Sequence, residues 1–127
     1  MENSGKSALG LDANVAAGLA YLPVCGINII MSIIILVTDK TNKLARFHAF
    51  QSLLLLGAGI VLYIIAALVV GVAAASNSGA LALLGSLIWF AVIIGLLIAI
   101  VICCIKAFMG QIFKLPVIGN MADNWSN

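Results

Sequence analysis

The feature that most constrains this chain is a run of 57 consecutive residues, 49–105, that contains no Asp, Glu, Lys or Arg. A helix needs about 20 apolar residues to cross the roughly 30 Å hydrocarbon core of a bilayer. The run is therefore long enough for two crossings. A second uncharged run, residues 13–38, is long enough for one more. The pattern predicts about three transmembrane helices.

The composition excludes a soluble fold. Of the 127 residues, 65% are hydrophobic and 8% are charged, against about 25% charged residues in ordinary soluble domains. A soluble domain of this size needs a polar shell, because most of its residues lie near the surface. In lipid, every backbone polar group must be satisfied within the protein, which favours helices. We therefore expect an all-α integral membrane protein with a single membrane domain.

Charge and turn residues divide the chain into seven segments. The predicted order is a polar N-terminal segment 1–12, span 1 at 13–37, a cationic loop 38–48, span 2 at 49–75, a turn 76–79, span 3 at 80–105 and an amphipathic interfacial tail 106–127. The turn between span 2 and span 3 is so short that the two spans must form an antiparallel helical hairpin over residues 49–105.

The first span has two possible forms. Asp12 is a plausible N-cap for a helix that begins at Ala13, but Pro23 and Gly26 interrupt the segment near its middle. Proline removes a backbone donor and clashes with the preceding turn, so the first span is predicted to be kinked or broken at Pro23. The alternative is a short interfacial or re-entrant helix up to Leu22, followed by a second segment from Ile27.

The distribution of cations predicts the orientation in the membrane. With three spans, the 38–48 loop and the C-terminal tail share one side, which holds five of the six cations, and Lys6 is alone on the other side. The positive-inside rule then places the loop and the C-terminus in the cytoplasm and the N-terminus outside, in a multi-pass protein of the cell inner (plasma) membrane. If the first segment is re-entrant, the N-terminus is cytoplasmic as well.

No residue pattern indicates catalysis. The sequence offers no pair of nucleophile and base and no paired carboxylates, so we expect a non-enzymatic protein without catalytic residues or cofactors. The cysteines all lie in hydrophobic stretches and are interpreted as packing residues, which leaves no predicted metal site. The net charge of +2 is too small for a nucleic-acid partner. The expected partners are the lipid bilayer and other membrane protein subunits.

A few residues are weak candidates for ligand contact. His48 is the one histidine of the chain and stands at the membrane boundary. Interfacial anchoring is the simpler interpretation, and a proton carrier or a ligand to a metal or porphyrin is the more specific one. Tyr63 and Trp89 are predicted near mid-membrane and close to each other. The simpler interpretation of this pair is aromatic packing, and the more specific one is contact with a lipid, pigment or quinone.

Small residues recur at every fourth position of the two hairpin spans. The series include Gly71 in span 2 and Gly95 in span 3. Such spacing allows helix backbones to approach closely, within the chain or with a partner helix. The candidates for a partner interface are Arg46, Phe47, His48, Gln51, Gly71 and Gly95.

One segment carries a family resemblance. The stretch TDKTNKLARFHAFQSLLL, residues 38–55, resembles the signature loop of a bacterial and archaeal family of small membrane proteins of unknown function. That family is related to Tic-twenty, an import component of the chloroplast inner envelope. The segments Gly18-Leu19-Ala20-Tyr21-Leu22 and Lys114-Leu115-Pro116-Val117-Ile118-Gly119 are similar to its pattern as well.

The resemblance implies a multi-helix membrane fold and, by analogy with the plant relatives, a protein-translocation or channel component. No span has a continuous polar face, so a water-filled pore through one copy is not expected. The leading hypothesis is a structural or accessory subunit of a larger membrane protein complex. A translocation or channel component is the alternative, and a lipid, pigment or quinone contact subunit is the second.

Overall fold

The computed structural model describes residues 5–22 and 26–127. The regular structure of this described part is entirely α-helical, apart from an isolated backbone bridge between Lys6 and Asp12. Its helices are α1 (Ala13–Leu19), α2 (Ile27–Thr38), α3 (Lys43–Ala75), α4 (Gly79–Phe108) and α5 (Ile118–Ser126). The expected all-α fold class is confirmed.

Two of these helices are long and apolar enough to cross a membrane, α3 with 33 residues and α4 with 30 residues. They contain the predicted spans 49–75 and 80–105, and the Ser76–Ser78 turn joins them. The three-span count is not confirmed, because the region assigned to span 1 holds two short helices, α1 with 7 residues and α2 with 12. The predicted kink at Pro23 falls on residues 23–25, outside the described residues.

Helices α1 and α2 run antiparallel. The amide of Asn28 donates to the carbonyl of Leu22 at 3.2 Å, and the hydroxyl of Ser32 donates to the carbonyl of Ala20 at 3.5 Å. Farther along the two helices, Ala16 of α1 and Ile35 of α2 belong to the same buried cluster. These successive pairings mean that the chain reverses direction between α1 and α2.

The beginning of α3 explains why the cationic loop is shorter than predicted. The side-chain oxygen of Asn42 accepts a hydrogen bond from the amide of Ala45 at 3.2 Å, which is the geometry of an N-cap. Asp39 supports this start by accepting from the amides of Thr41 and Asn42. Residues 43–48, predicted as loop, therefore form the first turns of the helix.

The end of α4 is fixed by a glycine. Gly110 has φ +71°, in the left-handed region, and the amide of Gln111 donates back to the carbonyl of Lys106 at 2.9 Å. This arrangement is a Schellman motif, which satisfies the last carbonyls of a helix. The chain then runs without helix from Gln111 to Leu115 before α5 begins. The tail predicted as interfacial thus contains a further helix.

The protein divides into two compact units. Unit 1 comprises the residues up to Leu55 together with Ile100–Asn127, and unit 2 comprises Leu56–Ala99. Each helical segment of unit 2 is about 30 Å long at 1.5 Å per residue, which is the thickness of the hydrocarbon core. Large apolar side chains are exposed along both segments. Unit 1 holds α1, α2, α5 and most of the polar side chains.

Candidate functional site

A buried polar cluster lies in unit 1, at the first turns of α3. Its centre is formed by His48 and Gln51, which stand one helical turn apart and have no exposed surface. Tyr21, just after α1, contacts both of them. Polar side chains in such an interior must be hydrogen-bonded, because an unsatisfied buried group costs about 1–3 kcal/mol. The partners of each side chain therefore define what the cluster does.

Both ring nitrogens of His48 have partners. Nε2 lies 2.9 Å from the carbonyl oxygen of Gln111, and Nδ1 lies 3.1 Å from the hydroxyl of Tyr21. A carbonyl oxygen can only accept, so Nε2 carries a proton and donates it. In the neutral ring Nδ1 then accepts from the Tyr21 hydroxyl. The rings of Phe47 and Tyr21 pack edge-on against the imidazole, with centroid distances of 5.0 and 5.5 Å.

The side-chain amide of Gln51 pairs with the backbone that follows α4, donating to one carbonyl and accepting from one amide as a peptide group of a neighbouring β-strand would. Its Nε2 donates to the carbonyl of Phe113 at 2.9 Å, and its Oε1 accepts from the amide of Leu115 at 3.2 Å. The same Nε2 also donates to the Tyr21 hydroxyl at 2.9 Å and lies 3.6 Å from the sulfur of Cys103. The segment 111–115 has no helix or sheet of its own, and His48 and Gln51 bond three of its backbone groups, those of Gln111, Phe113 and Leu115.

The carbonyl of Ala20 is a second meeting point. It accepts hydrogen bonds from the hydroxyls of Ser32 and Ser52, which come from α2 and α3. Carbonyls at the end of a helix lack partners within the helix. The two serines satisfy this one, and so α1, α2 and α3 are joined where α1 ends.

Arg46 joins α2, α3 and α5. Its Nη1 donates to the carbonyl of Asp39 at 2.9 Å, and its Nε donates to the carbonyl of Ser126 at 3.3 Å. The guanidinium also lies 5.6 Å from the centre of the Phe50 ring, and that ring packs edge-on against Trp125. Arginine suits such a position because its several donors lie in one plane.

Asp123 of α5 bridges two lysines. Its carboxylate lies 3.1 Å from Nζ of Lys43 and 2.8 Å from Nζ of Lys114. Hydrogen bonds from Lys114 and Lys43 lower the pKa of the carboxyl below its ordinary value. The bridge therefore helps to hold α5 against the beginning of α3.

This bridge makes the docking of α5 dependent on pH. Because the pKa of Asp123 is lower in the folded state, its contribution is fully present above the ordinary aspartate pKa of about 3.9. The contribution is lost as the pH falls through the lower folded-state pKa. With Trp89 replaced by Phe, we expect the fluorescence of Trp125 to report release of α5 in this acid range. The Asp123→Asn variant should lack that component, and an unchanged acid transition in it would contradict the assignment.

The candidate residues of the first turns of α3 are brought together, but mainly in the interior. Phe47, His48 and Gln51 are buried in unit 1, and Arg46 is half-buried. A partner therefore cannot touch the first three without displacing part of the fold. Within the described residues, no group of three or more His, Cys, Asp or Glu side chains is placed to hold a metal ion.

The candidates of unit 2 lie at its surface. Gly71 and Gly95 have no atom within 4 Å of the position that a Cβ would take, so neither contributes to the packing of α3 on α4. The close approaches are at Gly59, beside Leu96, and at Gly85, beside Val70 and Ala73. The small-residue pattern alone could not distinguish these positions, since it recurs on several faces of both helices.

Tyr63 and Trp89 do pack together, with ring centroids 5.0 Å apart. Tyr63 is 54% exposed. Beside Trp89 lies an open groove of about 330 Å³, lined by Ala67, Val70, Gly71, Ser86, Trp89 and Phe90. This pair is the ligand-contact candidate that retains free surface.

Sequence reasoning missed several residues of the cluster. Tyr21 entered only as part of a motif, and Cys103 only as a packing residue, although both contact Gln51. Asp123 was not singled out. The signal for Tyr21 was a phenol in an apolar stretch, since a buried tyrosine hydroxyl usually finds a polar partner.

Comparison with known proteins gives a family. The model of the magnetosome magnetite crystal formation protein family matches residues 9–122. Two UPF0132 membrane proteins of Methanocaldococcus jannaschii are similar to the chain. One is 35% identical over 122 residues, 96% of each chain, and the other is 30% identical over 118 residues, 93% of this chain and 73% of the relative. No solved structure matches it.

These matches overturn the resemblance to the family related to Tic-twenty. That assignment was wrong, because the family model that covers nearly the whole chain is a different one. The residues that carried the resemblance, Arg46, His48 and Gln51 among them, hold backbone segments together in unit 1. Their pattern therefore reflects packing of this fold and carries no information about translocation.

Proposed function

The chain belongs to the magnetosome magnetite crystal formation protein family, and we propose that within it the chain is a non-enzymatic structural or accessory subunit of a larger membrane protein complex. Its relatives are named as membrane proteins. In this proposal, any role of the chain in crystal formation is exercised through the complex of which it is a subunit.

The observation that carries this proposal is the hydrogen bonding of the side chains in the polar cluster. Both nitrogens of His48 and both polar atoms of the Gln51 amide are bonded within unit 1, to Tyr21 and to the backbone of residues 111–115. A general acid or base needs a reacting atom within hydrogen-bond reach. These groups instead hold the fold together, which supports a structural role.

The surface of unit 2 supports a role in assembly. Gly71 and Gly95 leave open space on the helices, and small residues at a helix surface let a partner helix approach closely in lipid. We propose other membrane protein subunits as the partners at this face. The half-buried Arg46 is the remaining polar candidate for such a contact.

The orientation proposed for this subunit follows the cations. Lys40, Lys43, Arg46, Lys106 and Lys114 lie at the end of the spanning helices where α3 begins and α4 ends. The positive-inside rule supports a cytoplasmic position for this end, and for the C-terminus, in the plasma membrane.

Purification from the native membrane tests the proposal. A C-terminally tagged chain, extracted in mild detergent, is expected to bring down the same membrane proteins in fixed proportion. Gly71→Leu and Gly95→Leu should reduce this recovery, whereas Gly57→Leu, also in open space on α3, serves as the matched control. Recovery of the chain alone from several detergents would contradict an accessory role. Iron bound to the purified complex would connect it with mineral formation.

A second candidate is a subunit that contacts a lipid, pigment or quinone. The observation in its favour is the groove of about 330 Å³ beside Trp89, since small-molecule sites are concave and mostly apolar. Mass spectrometry of the same preparation should then find one small apolar molecule in fixed proportion. Its amount should fall in Trp89→Ala, and an unchanged amount would refute this site.

A further inference from the structure

The antiparallel pair formed by α1 and α2 bears on how the chain meets the membrane. Hydrogen bonds within the pair bring Leu22 beside Asn28 and Ala20 beside Ser32. At the far end of the pair, the amide of Ala8 donates to the carboxylate of Asp39 at 3.0 Å. The start and the finish of the pair are therefore together, which a single membrane-crossing helix would not allow.

The joined ends lie at an identifiable end of the spanning helices. Asp39 is four residues before the beginning of α3. At the beginning of α1, the side-chain Nδ2 of Asn14 donates to the carbonyl of Phe108, the last residue of α4. Since α3 and α4 are joined by a turn at their other ends, the beginning of α3 and the end of α4 share one membrane side. The N-terminal segment is on that side too.

The length and the surface of α2 fit one leaflet. Its 12 residues extend about 18 Å, a little over half of the roughly 30 Å hydrocarbon core. Its outer face carries Ile30, Ile33 and Val37, all more than half exposed. The polar side chain of Ser32 points inward, to Ala20. An apolar outer face of this kind requires an apolar surrounding.

The charges around α2 show which end of it is near the headgroups. Near its C-terminus, the ammonium of Lys40 donates to the carbonyl of Leu36 at 3.1 Å, and Arg46 reaches the carbonyl of Asp39. The helix itself has no charged residue, since Asp39, Lys40 and Arg46 all follow it. Cations at one end and aliphatic residues along the outer face match phosphate groups at the membrane surface and acyl chains below it.

We propose that α1 and α2 form a re-entrant hairpin. This hairpin is embedded among the acyl chains of a single leaflet, on the side of the membrane where α3 begins and α4 ends. The chain then crosses the membrane twice, through α3 and α4, and both termini face the same side. This inference concerns the lipid contact of α1 and α2 and does not depend on the proposed subunit role.

Labelling of single cysteines from one side of the membrane tests the topology. In a background with Cys25, Cys103 and Cys104 replaced by Ser, the variants are Leu9→Cys, Gly79→Cys and Asn127→Cys. A maleimide that cannot cross the membrane should label positions 9 and 127 from the same side of sealed vesicles and position 79 from the opposite side. Labelling of 9 together with 79 would overturn the proposal.

Protease protection keeps the test decisive if the serine background folds poorly. The native chain with an epitope tag at each terminus should lose both tags to protease in vesicles of one orientation and retain both in the other. Loss of one tag and retention of the other would show an odd number of crossings.

The lipid contact itself is tested by a spin label at Ile33, with Ile35 as the matched buried position on the same helix. In vesicles of the purified protein, the label at 33 should be relaxed by oxygen and protected from a water-soluble nickel complex. A series at Ile30, Ile33 and Val37 should become steadily shallower. Free access of the nickel complex to position 33 would overturn the proposal.

Discussion

Replacing Gln51 by leucine is expected to destabilise unit 1 by about 3 kcal/mol or more. The substitution keeps the size of the side chain but removes its bonds to Phe113 and Leu115. The partly buried carbonyl of Phe113 and amide of Leu115 then lose their partners, and leaving a buried polar group unsatisfied costs about 1–3 kcal/mol. The Tyr21 hydroxyl loses a donor as well. Unfolding in mixed detergent micelles measures the total, and hydrogen exchange at the Leu115 amide measures the local effect.

Gln111 provides the matched control for Gln51. It contributes only its backbone carbonyl to the cluster, and its side chain lies at the surface, bonded to Lys106. Gln111→Leu should therefore change stability by no more than about 0.5 kcal/mol, as is usual for surface substitutions. If the two leucine variants unfolded alike, the structural role assigned to the Gln51 amide would be refuted.

Replacing Gly119 by alanine is expected to release α5. A Cβ at this position would lie 2.6 Å from Cα and 2.8 Å from the carbonyl carbon of Lys114. Those are backbone atoms, which cannot move aside as a flexible side chain would. Overpacking of this kind costs about 1–3 kcal/mol, and a short helix docked by a few contacts opens at a comparable cost. The variant should therefore lose the contact between Trp125 and Phe50.

The fluorescence of Trp125 in a Trp89→Phe background measures this release, and limited proteolysis after Lys114 measures it independently. Gly57→Ala is the control, because nothing lies within 4 Å of its Cβ position. In the middle of α3, that change should stabilise the helix by about 1 kcal/mol. Retention of the native Trp125 signal in Gly119→Ala would show that the close packing of Gly119 against Lys114 is not needed to keep α5 docked, and would contradict the prediction.

The spanning helices could be predicted because their signal is local. The absence of charge over residues 49–105 and the polar turn Ser76–Ser78 specify α3 and α4 to within a few residues. The prediction was less accurate at the beginning of α3, which lies at Lys43 and six residues before the predicted start at residue 49. The cap that starts the helix there is Asn42, and the apolar pattern gives no indication of it.

The polar cluster could not be predicted, because its partners are distant in sequence. Gln51 contacts Tyr21, 30 residues away, and Phe113, 62 residues away. The sequence showed His48 and Gln51 one turn apart, which marked a polar face. It could not show that the face would be filled by the backbone of residues 111–115, since an irregular segment has no periodicity to read. The same limit left open the choice between a kinked span and a re-entrant pair at residues 13–37.

Unit 1 is built from both ends of the chain, and this fixes when it can form. The ribosome releases Tyr21, His48 and Gln51 well before the residues that bind them, Cys103 to Leu115. At about 5–20 residues per second, the delay is on the order of several seconds, during which the hairpin Leu56–Ala99 is made. During this time the N-terminal part of unit 1 lacks the hydrogen-bond partners that the C-terminal residues provide. Unit 1 can therefore complete its folding only after the last part of the protein has been synthesised.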